Sequence, residues 1–86
     1  MITVGFTPEF FRSLKKLTPQ LQETAFKRIE LFRQRNNHQR LKVHKLHGKY
    51  KGFFGFSVDY TYRIMFEGIS DKEVRLHTVG DHSIYD

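Results

Sequence analysis

The 86-residue chain predicts an α+β fold, a mostly antiparallel sheet with an N-terminal helical hairpin packed on one face, in the order β-α-α-β-β-β. Three features carry this expectation. Apolar residues alternate at strand period near both ends of the sequence, two Thr-Pro pairs each open a run of helical spacing, and the last three strand patterns are joined by short turns. The length leaves room for one core, hence a single domain over residues 1–86.

In chain order, Ile2, Val4 and Phe6 alternate with Thr3 and Gly5 as a strand with one buried face. Thr7-Pro8 then supplies an N-cap and a first helical residue, and Glu9 sits well at the positive end of the helix dipole. Phe10, Leu14 and Leu17, with Phe11 beside them, form the apolar stripe of a helix of about three turns. Thr18-Pro19 repeats the start signal, so a second helix follows without a linker. Its stripe is Leu21, Ala25, Ile29 and Phe32, widened by Phe26, and Arg28 belongs with Gln22, Glu23, Lys27 and Glu30 on the solvated face. Arg33 to Asn37 closes the helix with cations near its negative end and asparagines that tolerate a left-handed turn.

Residues 38–47 read as a connection dense in cations and histidines, anchored to the core by Leu41, Val43 and Leu46. Then Phe54, Phe56 and Val58 share one face of a strand, with Gly55 and Ser57 pointing the other way. Val58 to Thr61 connects to a second strand in which Tyr62, Ile64 and Phe66 alternate with Arg63, Met65 and Glu67, so Arg63 becomes a fixed cation on the face opposite the core. Residues 68–72 turn, 73–79 alternate as the last strand, and the tail Gly80 to Asp86 follows directly.

The formal charge of +6 favours polyanionic partners, because each phosphate contact releases condensed counterions. An acidic protein suits the same charge. With no cysteine there is neither a disulfide framework nor a thiolate metal site. No apolar run is long enough for a bilayer, and the first residues lack the basic flank and apolar core of a signal peptide. The expectation is a soluble, unexported, cytoplasmic protein with no membrane partner. An open sheet face opposite the helices, carrying basic residues, suits a single strand of nucleic acid.

The residues also carry a resemblance over nearly the whole chain. Its features are the first strand followed by two helices, the run Lys45 to Gly52, the strand Tyr62-Arg63-Ile64-Met65-Phe66, and the closing segment Val79 to Tyr85. Together these resemble the RelE/ParE toxin superfamily of type II toxin-antitoxin systems, and within it the RelE and YafQ type. The resemblance implies a ribosome-dependent messenger RNA endoribonuclease (mRNA interferase) held in check by a cognate antitoxin that masks its basic face. Its partners would be that antitoxin, the ribosome and mRNA. The alternatives are a ParE-like toxin that binds and inhibits DNA gyrase without nuclease activity, or an inactive relative that binds RNA or antitoxin.

RNA cleavage without a metal or other cofactor needs a base for the 2′-hydroxyl, an acid for the departing 5′-oxygen, and cations for the charge developing on phosphate. Imidazole serves either proton-transfer role near neutral pH, and a guanidinium grips phosphate with two parallel donors. The resemblance assigns Arg63 as the phosphate-stabilising cation and His82 as general acid or base, with His44 or His47 as the second proton-transfer group. Lys49 and Lys51 become substrate-binding cations, and Tyr85 a residue that stacks on a base or orients His82. Ser57, Thr61 and Thr78 depart from the YafQ pattern, which has a histidine, an aspartate and an arginine at the matching places. Simpler alternatives are an Arg63 paired with Glu67 or Asp59, a His82 that only ends a strand, and a metal shared by His44 and His47. No carboxylate or cysteine at ligand spacing supports the last.

Overall fold

The computed structural model describes residues 1–85, so Asp86, the last residue of the tail, lies outside the described residues. The chain runs β1 (Thr3–Phe6), α1 (Pro8–Leu14), α2 (Pro19–Phe32), β2 (His44–Lys45), β3 (Phe53–Ser57), β4 (Arg63–Ser70) and β5 (Glu73–Gly80), with single 3-10 turns at Arg35–Asn37, Gly48–Tyr50 and His82–Tyr85. The strands form one mixed sheet in the order β1-β5-β4-β3-β2. β1 runs parallel to β5, which its helical crossover requires, and the other pairings are antiparallel.

Both helix starts form as their sequences dictate. The hydroxyl oxygens of Thr7 and Thr18 accept from the amides of Phe10 (3.0 Å) and Leu21 (3.2 Å), with proline next in each helix. Thr7 also donates to the Leu76 carbonyl at 3.0 Å, so the same cap fastens α1 to β5. Phe10, Leu14, Ala25, Ile29 and Phe32 pack with Phe56, Val58, Ile64, Phe66, Val74, Leu76 and Val79 in one core between the helices and one face of the sheet. Phe32 lies at its centre, stacked 4.5 Å from the Phe56 ring on one side and 4.6 Å from the His38 ring on the other.

The structure departs from the sequence expectations in three places. α1 ends at Leu14, after seven residues, and Leu17 packs against the core from the loop that follows, because Thr18-Pro19 starts the next helix too soon for a third turn. The connection at 38–47 contains an edge strand, His44–Lys45, paired with Phe54 and Gly55, too short to show strand alternation in the sequence. The left-handed backbone after α2 falls at Lys42 (φ 60°), while Asn37 uses its side-chain amide to donate to the Leu31 carbonyl at 2.8 Å. Leu41 and Leu46 are buried and Val43 packs on the core, so the anchors of this segment lie where the pattern puts them. Among the described residues no helix is long and apolar enough to cross a membrane.

Candidate functional site

Alternation decides what the second face of the sheet displays. On β3 and β4 the side chains of Phe56, Ile64 and Phe66 enter the core, so the residues between them point away from the helices. Register then lines these up in rows. His44, Gly55, Met65 and Thr78 are successive partners across β2, β3, β4 and β5, and Ser57, Arg63 and Gly80 form the next row.

The tail folds back over this face. At Gly80 a Cβ would run into Ile84, so the absence of a side chain lets the 3-10 turn approach the sheet. The Asp81 carboxylate accepts from the Ser83 hydroxyl (2.6 Å) and amide (2.9 Å), fixing the turn, and those bonds hold its carboxyl below the ordinary aspartate range. Further on, Tyr85 lies over Gly55, where a Cβ would sit 2.9 Å from Tyr85 Cζ. Its ring meets the His44 imidazole edge-on at 6.0 Å. The phenol oxygen is buried with no hydrogen-bond partner among the described residues. Burial pushes the Tyr85 pKa up, and the nearby Arg63 charge offsets part of that shift.

Two clefts are lined in part by tail residues. The larger, about 560 Å³, is lined by Arg28, Arg40, Leu41, Lys42, Ser57, Val58, Asp59, Tyr60, Arg63 and His82. Arg63 is held from below: one Nη donates to the carbonyls of Asp59 (2.8 Å), Tyr60 (3.1 Å) and Tyr62 (3.1 Å). Neither carboxylate considered for it takes it up. Asp59 turns its Oδ1 to the amides of Thr61 (2.9 Å) and Tyr62 (2.7 Å), and Glu67 pairs with His77 Nε2 at 2.9 Å. Among the described residues Arg63 has no carboxylate partner, so it presents its remaining donors on a rigid base.

The second cleft, about 450 Å³, is lined by Glu9, Lys49, Tyr50, Phe53, Met65, His77, Thr78 and Ile84. Lys49 belongs here, its ammonium 5.3 Å from the Tyr50 ring centroid. The basic run forms the connection from β2 to β3, with a turn at Gly48–Tyr50 and positive φ at Gly48 and Gly52, and His47 and Lys51 are exposed and line neither cleft.

Of the residues singled out by sequence, the fold therefore brings Arg63 and His82 into one cleft and sets Tyr85 and His44 in the adjoining row, with the His44 Nδ1 on the Lys42 carbonyl at 2.8 Å. It places Lys49 in the second cleft, and His47 and Lys51 off both clefts. Arg28, assigned by periodicity to the solvated helix face, is a correction: its Nε donates to the Val58 carbonyl at 2.9 Å and it lines the Arg63 cleft. No signal in α2 marks this contact, which spans thirty positions and exists only once the helix docks. Arg40 and Lys42 were visible as charge in the connection, though not as part of a site. Among the described residues no three histidine, aspartate or glutamate side chains gather to hold a metal ion.

No protein-family model matches the sequence, and no curated protein matches it. Solved structures do. The chain is similar to YafQ from E. coli strain BL21(DE3) with a TM-score of 0.74 at 17% identity, over 98% of this chain and 97% of that one. It is similar to a chain of the toxin-antitoxin complex RelBE2 from Mycobacterium tuberculosis (TM-score 0.69, 25% identity, 94% of this chain and 98% of that one). A chain of the YoeB-YefM complex from Staphylococcus aureus gives a TM-score of 0.71 at 13% identity, over 95% and 98%. The resemblance carried by the sequence is thus shown in three dimensions: this chain has the fold of the RelE/YafQ-like type II toxins.

Proposed function

We propose that this protein is the toxin of a type II toxin-antitoxin module and acts as a ribosome-dependent endoribonuclease on messenger RNA. The observation that carries the proposal is that Arg63, from the start of β4, and His82, from the tail, line one open cleft, which Arg28 from α2 also reaches. A cation for the phosphate and a proton-transfer group beside it are what the reaction asks of the protein. The structural neighbours solved with antitoxins support the module.

In this mechanism the 2′-hydroxyl of the nucleotide 5′ to the cut attacks the adjacent phosphorus as a base removes its proton. The bond from phosphorus to the 5′-oxygen breaks, and an acid protonates that oxygen, leaving a 2′,3′-cyclic phosphate and a 5′-hydroxyl. Arg63 stabilises the charge building on the non-bridging oxygens. His82 takes one proton-transfer role and His44 the other, a reading supported by its ring lying edge-on to Tyr85 one row from Arg63. Tyr85 walls the site and offers its ring to a base. Ser57, in the row of Arg63, lines the cleft where the YafQ pattern has a histidine, which leaves the tail histidine as the imidazole of that cleft. The cognate antitoxin is acidic and covers the basic face, and the toxin works in the cytoplasm, where ribosomes are.

The test is induced expression of the wild type beside Arg63→Ala and His82→Ala, scored by growth arrest and by mapping cut sites in translated messages. Cuts made by the wild type and lost in both variants are expected. Cleavage that persists in both overturns the assignment, and inhibition of DNA supercoiling by a wild type that cuts no message replaces it with the gyrase-binding alternative.

A further inference from the structure

Four cations from three separate segments converge on the larger cleft: Arg28 from α2, Arg40 and Lys42 from the loop before β2, and Arg63 from β4. Only one of them is needed for the phosphate being cut. Among the described residues the only carboxylate lining the cleft belongs to Asp59, and it is occupied with the amides of Thr61 and Tyr62. Of the fifteen lysines and arginines only Lys27 (with Glu23, 3.3 Å) and Arg33 (with Glu30, 3.1 Å) have a carboxylate partner among the described residues, so what sets this cleft apart is that several cations meet in it. Among the described residues Arg28, Arg40 and Lys42 have no such partner. Gathered like charges without counter-charge disfavour the site when empty and favour an anion that enters it.

Local structure points the same way. Arg28 is tied by Nε to the Val58 carbonyl (2.9 Å), which fixes the guanidinium and leaves both Nη groups for a ligand. Lys42 is the one non-glycine residue with positive φ among the described residues, 60°, a conformation that costs free energy and persists where the surroundings impose it. Its carbonyl accepts from or faces His44 Nδ1 at 2.8 Å, so the loop carrying Lys42 and the second imidazole are set together. Beside them Tyr60 is 91% exposed at the rim of the cleft, a bare ring face on which a base can stack. The cleft volume, about 560 Å³, exceeds what a lone phosphate needs.

We propose that Arg28, Arg40 and Lys42 form a second phosphodiester subsite, so that single-stranded RNA runs from Arg63 and His82 toward the α2 side of the sheet and away from Lys49 and Lys51. The subsite rests on the reading that this cleft takes RNA, and it moves the strand-holding role from the basic run at residues 45–52 to cations brought in by the fold. An acidic peptide is the competing occupant of the same charges.

The experiment measures binding of a short single-stranded RNA, blocked from cleavage by 2′-deoxy sugars, to the purified chain over a series of salt concentrations. Arg40→Gln with Lys42→Gln is compared with Lys49→Gln with Lys51→Gln. Neither pair makes a side-chain hydrogen bond among the described residues, so both variants should keep the fold, which a thermal melt verifies. The expected result is a loss of about tenfold or more for the first pair, with a fall of about 1.4 in the slope of log affinity against log salt, and under about threefold for the second. Arg28→Lys, which keeps the charge and breaks the fork, should bind better than Arg28→Gln. Equal losses in the two pairs, a larger loss at Lys49 and Lys51, or no RNA binding by the wild type overturns the subsite. Unchanged RNA binding in the first pair with lost binding of an oligo-glutamate peptide overturns it in favour of the acidic peptide. Because nothing is cleaved in this assay, failure of the nuclease assignment would show separately, as intact RNA binding by a protein that cuts no message.

Discussion

The two clefts that the tail helps to line differ in what the fold brings to them. In the Arg63 cleft, cations distant in sequence converge and the Asp59 carboxylate that lines it is consumed by a turn. In the Lys49 cleft, aromatic rings and a methionine dominate, and the half-buried His77 is matched by Glu67 at 2.9 Å. One gathers several cations and the other holds a single lysine and a single glutamate among mostly uncharged side chains. The difference teaches that density of lysine and histidine along a sequence is a poor guide to where positive potential gathers, because potential depends on which segments meet and which carboxylates remain free.

That contrast can be broken most forcefully at the first cleft. Arg63→Ala or His82→Ala is expected to lower message cleavage by about 10²- to 10³-fold, the usual scale for removing a charge-stabilising or proton-transfer group, read by quantitative mapping of cut sites. Arg63→Lys should recover only part, since an ammonium cannot both cap the carbonyls of Asp59, Tyr60 and Tyr62 and grip phosphate with a fork. A smaller effect is expected where the tail packs on β3. Gly55→Ala forces a methyl into Tyr85, so it should displace the tail, lower stability by about 1–3 kcal/mol in a denaturant titration, and reduce cleavage as His82 loses its place.

Tyr85→Phe sharpens the comparison through pH. Burial favours the neutral phenol, so the Tyr85 pKa is raised in the fold, with Arg63 offsetting part of the shift. A group shifted upward contributes stability that is present in full below its unfolded value, near about 10, and lost as pH rises through the folded value. The wild type should therefore destabilise more steeply above that pH than Tyr85→Phe, by thermal melts at paired pH values. Below it the variant should be as stable as the wild type or slightly more so, because it removes an oxygen that lacks a partner among the described residues. The smallest effect belongs to the second cleft, where Glu67→Gln should cost under about 1 kcal/mol and leave cleavage within about threefold, measured by melt and by cut-site mapping.

Much of this architecture was legible in the sequence where local rules and global fold agree. The Thr-Pro starts capped both helices, and the alternation at Phe54 to Val58 and Tyr62 to Phe66 correctly put Arg63 on the face away from the core. Legibility failed where a contact depends on docking. The helical stripe gave no reason for Arg28 to reach a carbonyl on the sheet side. A two-residue edge strand has no period to detect. The run Lys45 to Gly52 carries its cations in adjacent positions, but the fold sets Lys49 in the second cleft and Lys51 in neither. The tail histidine was found by resemblance, and only the close fit of Gly80 against Ile84 and of Gly55 against Tyr85 explains how it comes to stand over the sheet.

The central claim is that the Arg63 and His82 cleft cuts RNA by attack of the neighbouring 2′-hydroxyl. It is tested most directly by programming ribosomes with messages that carry a single 2′-deoxy sugar immediately 5′ to a mapped cut site, and reading the cut at that position. The account predicts that cleavage there disappears while other sites in the same message are cut as before; cleavage that continues at the 2′-deoxy position would contradict it.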